Sequence, residues 1–150
     1  MTKEPGIYLV TLNNKMPISI NAQDPRCADK VYKANYTNIK IGKAKSLHAR
    51  RDNYYKTFGE HNVNFHPLIF TQDINEVEKT IIKQFDEFRV RNPVSNRKTE
   101  WLSGILKDEA ILLILKRLCN IKSEYTLSDT LTNEKNPSIL NKLVNIIRGQ

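Results

Sequence analysis

Apolar and polar positions along the chain fall into segments of distinct period. Ile7 to Leu12 (IYLVTL) is a β-rich run directly after Pro5-Gly6, and it predicts a strand. Asn38 to Gly42 (NIKIG) alternates polar and apolar, as a half-buried strand does. Val63 to Phe70 (VNFHPLIF) predicts a third strand, with Pro67 suited to an edge because it cannot donate to a ladder. Between the first two, the Asn-, Pro- and Asp-rich stretch from Asn13 to Lys30 predicts a long connection with room for a ragged hairpin.

Two segments carry a helical period within the first hundred residues. Ser46 is the expected N-cap of a helix running to about Phe58, with Leu47, Tyr54 and Phe58 on one face and Arg50 and Arg51 flanking it. Asp73-Ile74-Asn75-Glu76 resembles a capping box, opening a helix to about Phe88 whose stripe is Ile74, Val77, Ile81, Phe85 and Phe88. At roughly 100° per residue, Glu76, Lys79 and Lys83 point away from that stripe. Glu78 does not. It falls on the stripe's edge beside Ile82, half turned toward the interior, where an unpaired charge is costly. Arg89 to Leu102 then reads as a polar, basic loop, followed by an apolar helix from Gly104 to Asn120. A polar linker, Ser123 to Asn136, precedes a last amphipathic helix from Pro137 to about Arg148. The order strand, strand, helix, strand, helix places the chain in the α/β (α+β) class. The composition shift near Gly104 divides it into 1–103 and a helical extension, 104–150.

Composition narrows the class of partner. At 150 residues with 39% hydrophobic and 27% charged positions, the chain is expected to be one soluble globular unit. Its net charge of +8 favours anionic partners, nucleic acid above all. No apolar run reaches the roughly 20 residues of a membrane span, and MTKEPGIYLV lacks the long apolar region of a secretory signal. Cys27 and Cys119 stand far apart without metal-type spacing, which suits a reduced, cytoplasmic chain.

Five features then occur in order. They are Gly6-Ile7-Tyr8; Ile41-Gly42; Arg50, eight residues after that Gly; Tyr54, four after the Arg; and Glu78 in E..IIKQF. From Gly6 to about Leu102 this pattern resembles the GIY-YIG endonuclease superfamily. The GKAKSL segment is similar to the nuclease half of the bacterial excision-repair incision enzyme. Lys40 stands where that superfamily has its second tyrosine, and KIG with the later Glu100-Trp101-Leu102 resembles its phage- and virus-associated branch. The resemblance implies a small central antiparallel three-stranded sheet flanked by helices, and metal-dependent hydrolysis of DNA. The nucleus or a host cytoplasm would be the compartment for a eukaryotic or viral member.

Such hydrolysis needs a positioned water, a base, and positive charge where the phosphorane forms. The resemblance makes Glu78 the metal-holding carboxylate, for Mg²⁺ or Mn²⁺, which one carboxylate plus substrate phosphate can hold. Arg50 offers a fork of donors to the non-bridging oxygens, although Arg51 is nearly as well placed on the helix and only the spacing from Gly42 selects Arg50. Tyr8 would hydrogen-bond the water or, with a lowered pKa, deprotonate it. Lys40 is open to two roles: a base if beside other cations and desolvated, or a charged phosphate holder. Lys43 and Tyr54 would orient water and substrate. Lys45, Arg51, Arg97 and Lys98, with Lys33, Arg89 and Arg91, are candidates for tracking a nucleic-acid backbone, and such contacts give affinity and salt dependence. Double-stranded DNA is the favoured substrate, RNA remains open, and double-strand cutting implies a homodimer or sequential nicks. Trp101 reads as core and the three histidines as structural or exposed. Asn92 and Asn96 compete for the superfamily's late Asn. The rival functions are a nucleic-acid-binding module of the same fold without catalysis, suggested by Lys40, and a helical interaction protein, suggested by the apolar tail.

Overall fold

In the computed structural model, which describes residues 4–132, β1 (Gly6–Leu12) lies inside a six-stranded antiparallel sheet. Its apolar run has a direct cause. Ile7 and Leu9 pack into a core on one face, and Tyr8, Val10 and Leu12 pack into a second core on the other. β4 (Ile39–Ala44) pairs with β1 in the register Tyr8↔Gly42 and Val10↔Lys40, and β5 (Val63–Phe70) flanks β1 on its other side. These are the three expected strands.

The sheet is larger than expected. The segment read as a basic loop holds β6 (Arg89–Arg91) and β7 (Lys98–Leu102), and β8 (Thr126–Leu127) comes from the polar linker. The strand order is β6-β7-β4-β1-β5-β8. The long connection does contain a small hairpin, β2 (Ile18–Ser19) with β3 (Lys33–Ala34). Pro67 sits opposite Tyr8 beside a register shift in β1·β5. Because β8 covers β5 only at Ile69 and Phe70, the outer side of β5 at Pro67 has no strand partner among the described residues, the edge setting a proline suits.

α1 (Leu47–Phe58) starts at Ser46, whose hydroxyl accepts from the Ala49 amide at 3.2 Å. It buries Leu47, Tyr54 and Phe58 against the Tyr8 face. α2 (Ile74–Ile82) continues as a 3₁₀ stretch, Lys83–Phe88, and buries Val77, Ile81 and Phe85 on the Ile7 face. The capping box does not form. Asp73 makes no side-chain cap bond; its carboxylate accepts from the Ser123 hydroxyl at 2.7 Å and its amide donates to Thr71 Oγ1 at 3.2 Å. α3 (Lys107–Leu118) packs Ala110, Ile111 and Ile114 into the same core as α2, and α4 (Asp129–Thr132) adds Leu131. The helix expected from Pro137 to Arg148 lies outside the described residues. No helix among them is long and apolar enough to cross a membrane, and both cysteines are free thiols.

His66 on β5 carries a pH dependence. Burial, with Lys107 adding, holds its imidazole down at about 4 against an ordinary 6.5. As pH falls, the unfolded chain takes up this proton before the folded one does. The stability that His66 contributes is therefore intact above 6.5 and lost as pH falls toward 4. In His66→Gln the thermal midpoint should fall less steeply with acidification across that window. Equal slopes in variant and parent would rule the assignment out.

Candidate functional site

β7 pairs with β4 only at Ile39 and Lys40, so among the described residues Ile41–Ala44 has a strand partner on the β1 side alone. This half-open edge lets groups from both faces of the sheet meet. A cleft of about 460 Å³ lies there, taking Tyr8 from β1, Lys43 from β4, Arg50 from α1 and Glu78 from α2. Lys45 lines it as well, so five of the sequence-selected residues converge. Lys40 and Tyr54 line an adjoining depression that shares Arg50, Asn53 and Glu100 with the cleft.

Tyr8 is fully buried beneath this cleft, and its hydroxyl is 2.8 Å from that of Tyr54. The ring crosses β4 at Gly42, where a Cβ would lie 2.5 Å from the Tyr8 Oη. Only glycine leaves room. Phe65 stacks on the Tyr8 ring with centroids 4.9 Å apart, which fixes its position from the β5 side. Burial, reinforced by Tyr54, pushes the Tyr8 phenol well above the ordinary tyrosine value, and burial does the same for Tyr54, with Arg50 opposing both shifts. The lowered pKa that a Tyr8 base requires is thus absent. In this setting the pair is two neutral hydroxyls.

Lys40 has an anion for its neighbour, not the cations that a base role would need: Nζ is 3.5 Å from Glu100 Oε2 and 5.3 Å from the centre of the Tyr54 ring. Lys43 Nζ donates to Asn75 Oδ1 at 2.7 Å and lies 3.9 Å from Glu78 Oε1. The Glu78 side chain is only 16% exposed, as its position on the stripe's edge predicted. Burial raises its pKa above the ordinary glutamate value and Glu100 raises it further, while Lys43 and Lys40 pull it down. Three residues with oxygen donors, Asn75, Glu78 and Glu100, line the cleft. Among the described residues no group of three or more His, Cys, Asp or Glu forms a closed metal cage.

The remaining candidates lie elsewhere. Arg51 lines neither cavity. It contacts Asp52 and His48 and covers the Tyr55 ring. Lys98 pairs with Asp86 at 2.6 Å, and Arg97 is exposed in the turn between β6 and β7. Asn92 caps the Tyr32 amide and Asn96 holds a turn at positive φ, so neither reaches the cleft. Trp101 is core, 3% exposed. The sequence reading missed Glu100 as a site residue, and it missed Asn53 and Asn75. The last two carried a signal: Asn53 is one helical turn after Arg50, and Asn75 one turn before Glu78.

The T5orf172 domain matches residues 25–119, more than half of the chain, and the chain belongs to that family, a phage-associated one found in nuclease contexts. Lys40, Lys43, Arg50, Tyr54, Glu78 and Glu100 lie within the matched span, and Tyr8 precedes it. No curated protein and no solved structure matches the chain.

Proposed function

We propose that the chain is a metal-dependent endonuclease of the GIY-YIG type, hydrolysing phosphodiester bonds in DNA. The observation that carries this reading is the convergence of Tyr8, Lys43, Arg50 and Glu78 from four separate elements on one cleft. The donor set suits Mg²⁺, which keeps several waters and accepts one carboxylate with substrate oxygens. Glu78 would hold the ion, which when bound supplies charge stabilisation as a Lewis acid. The protein's own groups do the rest. Arg50 presents its fork to the non-bridging oxygens. The Tyr8 hydroxyl, positioned by Tyr54, aligns the attacking water as a neutral hydrogen-bond partner. Lys40, with a carboxylate and an aromatic face for neighbours, acts as a charged phosphate holder. Lys45, just past the end of β4, extends the positive wall. One such site cuts one strand, so double-strand cutting requires a second copy or a second nick.

The test is nicking of supercoiled plasmid in Mg²⁺, Mn²⁺ and EDTA, with Arg50→Lys beside the parent. Cutting should need the divalent ion, and Arg50→Lys should slow it by about a hundredfold, because a point charge cannot replace the bidentate fork. Metal-independent cutting, or an Arg50→Lys variant at parental rate, would refute the assignment. Salt-sensitive DNA binding with no cutting on plasmid, single-stranded or branched DNA would instead identify a binding module that has kept the fold.

A further inference from the structure

The depression beside the cleft has a chemistry of its own. It measures about 280 Å³ and lies between the β2–β3 connection, α1 and β7. Its floor is aromatic and mostly buried: Trp101 packs edge to face on Tyr54 and Phe58, with centroids 6.3 Å and 5.5 Å apart, while Tyr54 and Phe58 stack on each other. Its rim is polar: Asn21, Asn53 and Thr57 are uncharged, and Lys40, Arg50 and Glu100 carry the charges on the side toward the cleft. Gln23 Nε2 donates to Thr57 Oγ1 at 2.8 Å, which ties the connecting loop to α1 at this rim. The Asn53 side-chain amide makes no hydrogen bond among the described residues, so its donors and acceptor are available. Most important, Arg50, Asn53 and Glu100 belong to both cavities, so whatever holds a phosphate on Arg50 extends into this space.

We propose that this depression binds the nucleoside next to the scissile phosphate, seating one base against the aromatic floor and hydrogen-bonding its edge with the rim amides of Asn21 and Asn53. The inference rests on the reading of Arg50 as a phosphate-binding residue. The volume falls just below the range of small-molecule pockets, roughly 300–1,000 Å³, which suits one heterocycle and not a stacked run of bases. An apolar floor with a few convergent polar groups is how proteins hold a single unpaired base, by its face and its edge. A plain phosphate-tracking groove would need cations here, and on this side of Arg50 the depression has only Lys40, already placed against Glu100. The loop residues Asn21 and Gln23 thereby acquire a function: they close the base-binding side of the site.

Trp101 is the only tryptophan in the chain and lines the depression, so its emission reports occupancy without any need for cleavage. The full chain is titrated with the four deoxynucleoside 5′-monophosphates, with 2-deoxyribose 5-phosphate and with inorganic phosphate. The nucleotides should quench Trp101 saturably, at least one of them binding about tenfold more tightly than the base-free sugar phosphate, as loss of one base–aromatic contact implies. Thr57→Phe, which fills the depression, should abolish the quench, and the exposed Asn21→Ala should weaken binding severalfold and shift the preference among bases. Circular dichroism checks that both stay folded, and if Thr57→Phe does not, Asn21→Ala decides. Equal binding of nucleotide and sugar phosphate, or a quench unaffected by the deciding variant, would overturn the proposal, as would no response at millimolar nucleotide. Nucleotide binding in a protein that never cuts DNA would remove the hydrolytic reading and leave this subsite standing. Cutting without any nucleotide response would do the reverse.

Discussion

Glu78→Gln should abolish metal-dependent nicking, by about a thousandfold or more, in a protein at least as stable as the parent. Two properties of one side chain lead to this. Its carboxylate is the half-buried oxygen donor of the cleft, and glutamine cannot replace an anion in holding a divalent cation. The same burial, with Glu100 nearby, raises its pKa in the fold, so the folded state binds this proton more readily than the unfolded chain does. A raised carboxylate pKa means that stability decreases as pH rises from the unfolded value through the folded one. Above that window the parent carries a charge it holds unfavourably. The glutamine variant does not, and its thermal midpoint at pH 7 should equal or exceed the parent's. Below the ordinary glutamate range both forms are neutral and the difference should vanish. Nicking rates and midpoints at the two pH values test both halves together. Retained cutting would remove Glu78 from the metal site, and lost cutting with a collapsed midpoint would make it a structural residue.

How much of this could be read beforehand depends on where each signal resides. Glu78 was legible because helical geometry alone puts it on the edge of a stripe that must face the sheet, and the half-buried side chain follows. Tyr8, Gly42 and Arg50 were legible as a pattern of spacings, and the structure supplies the reason for the glycine. β6 and β7 were not legible: RVR is too short to show a period and KTEWL is mostly polar, and their pairing is decided by contact of β7 with β4 and of β6 with β7. Glu100 was hidden for the same reason. Its place at the cleft depends on where β7 stops pairing, which no local period encodes. At Asp73 the groups a capping box would use have other partners: the carboxylate accepts from Ser123, fifty residues on, and the amide donates to Thr71. Local pattern predicts groups that act within one element and misses groups whose partner is chosen by the fold.

Gly42→Ala should damage stability and activity together, because one atom intrudes on the ring that both depend on. The added Cβ would lie 2.5 Å from Tyr8 Oη and 2.7 Å from Cζ, inside any real contact distance. A long flexible side chain would swing aside, but Tyr8 is fully buried, stacked on Phe65 and bonded to Tyr54. The strain should cost about 1–3 kcal/mol, as overpacking in a filled core does, less the small gain of replacing glycine in a strand. Tyr8 should be pushed off the Tyr54 hydroxyl, so nicking should fall further than the stability loss explains. A double-mutant cycle isolates the cause. In a Tyr8→Ala background the ring is gone, and Gly42→Ala should become nearly neutral in denaturant unfolding, with a coupling energy about as large as the original cost. Undiminished cost in that background would mean that the alanine clashes with something other than Tyr8. Relief by Tyr8→Ala would tie the glycine of β4 to the tyrosine of β1 as one unit. The tight strand pairing would then serve to hold the Tyr8 hydroxyl at the floor of the cleft.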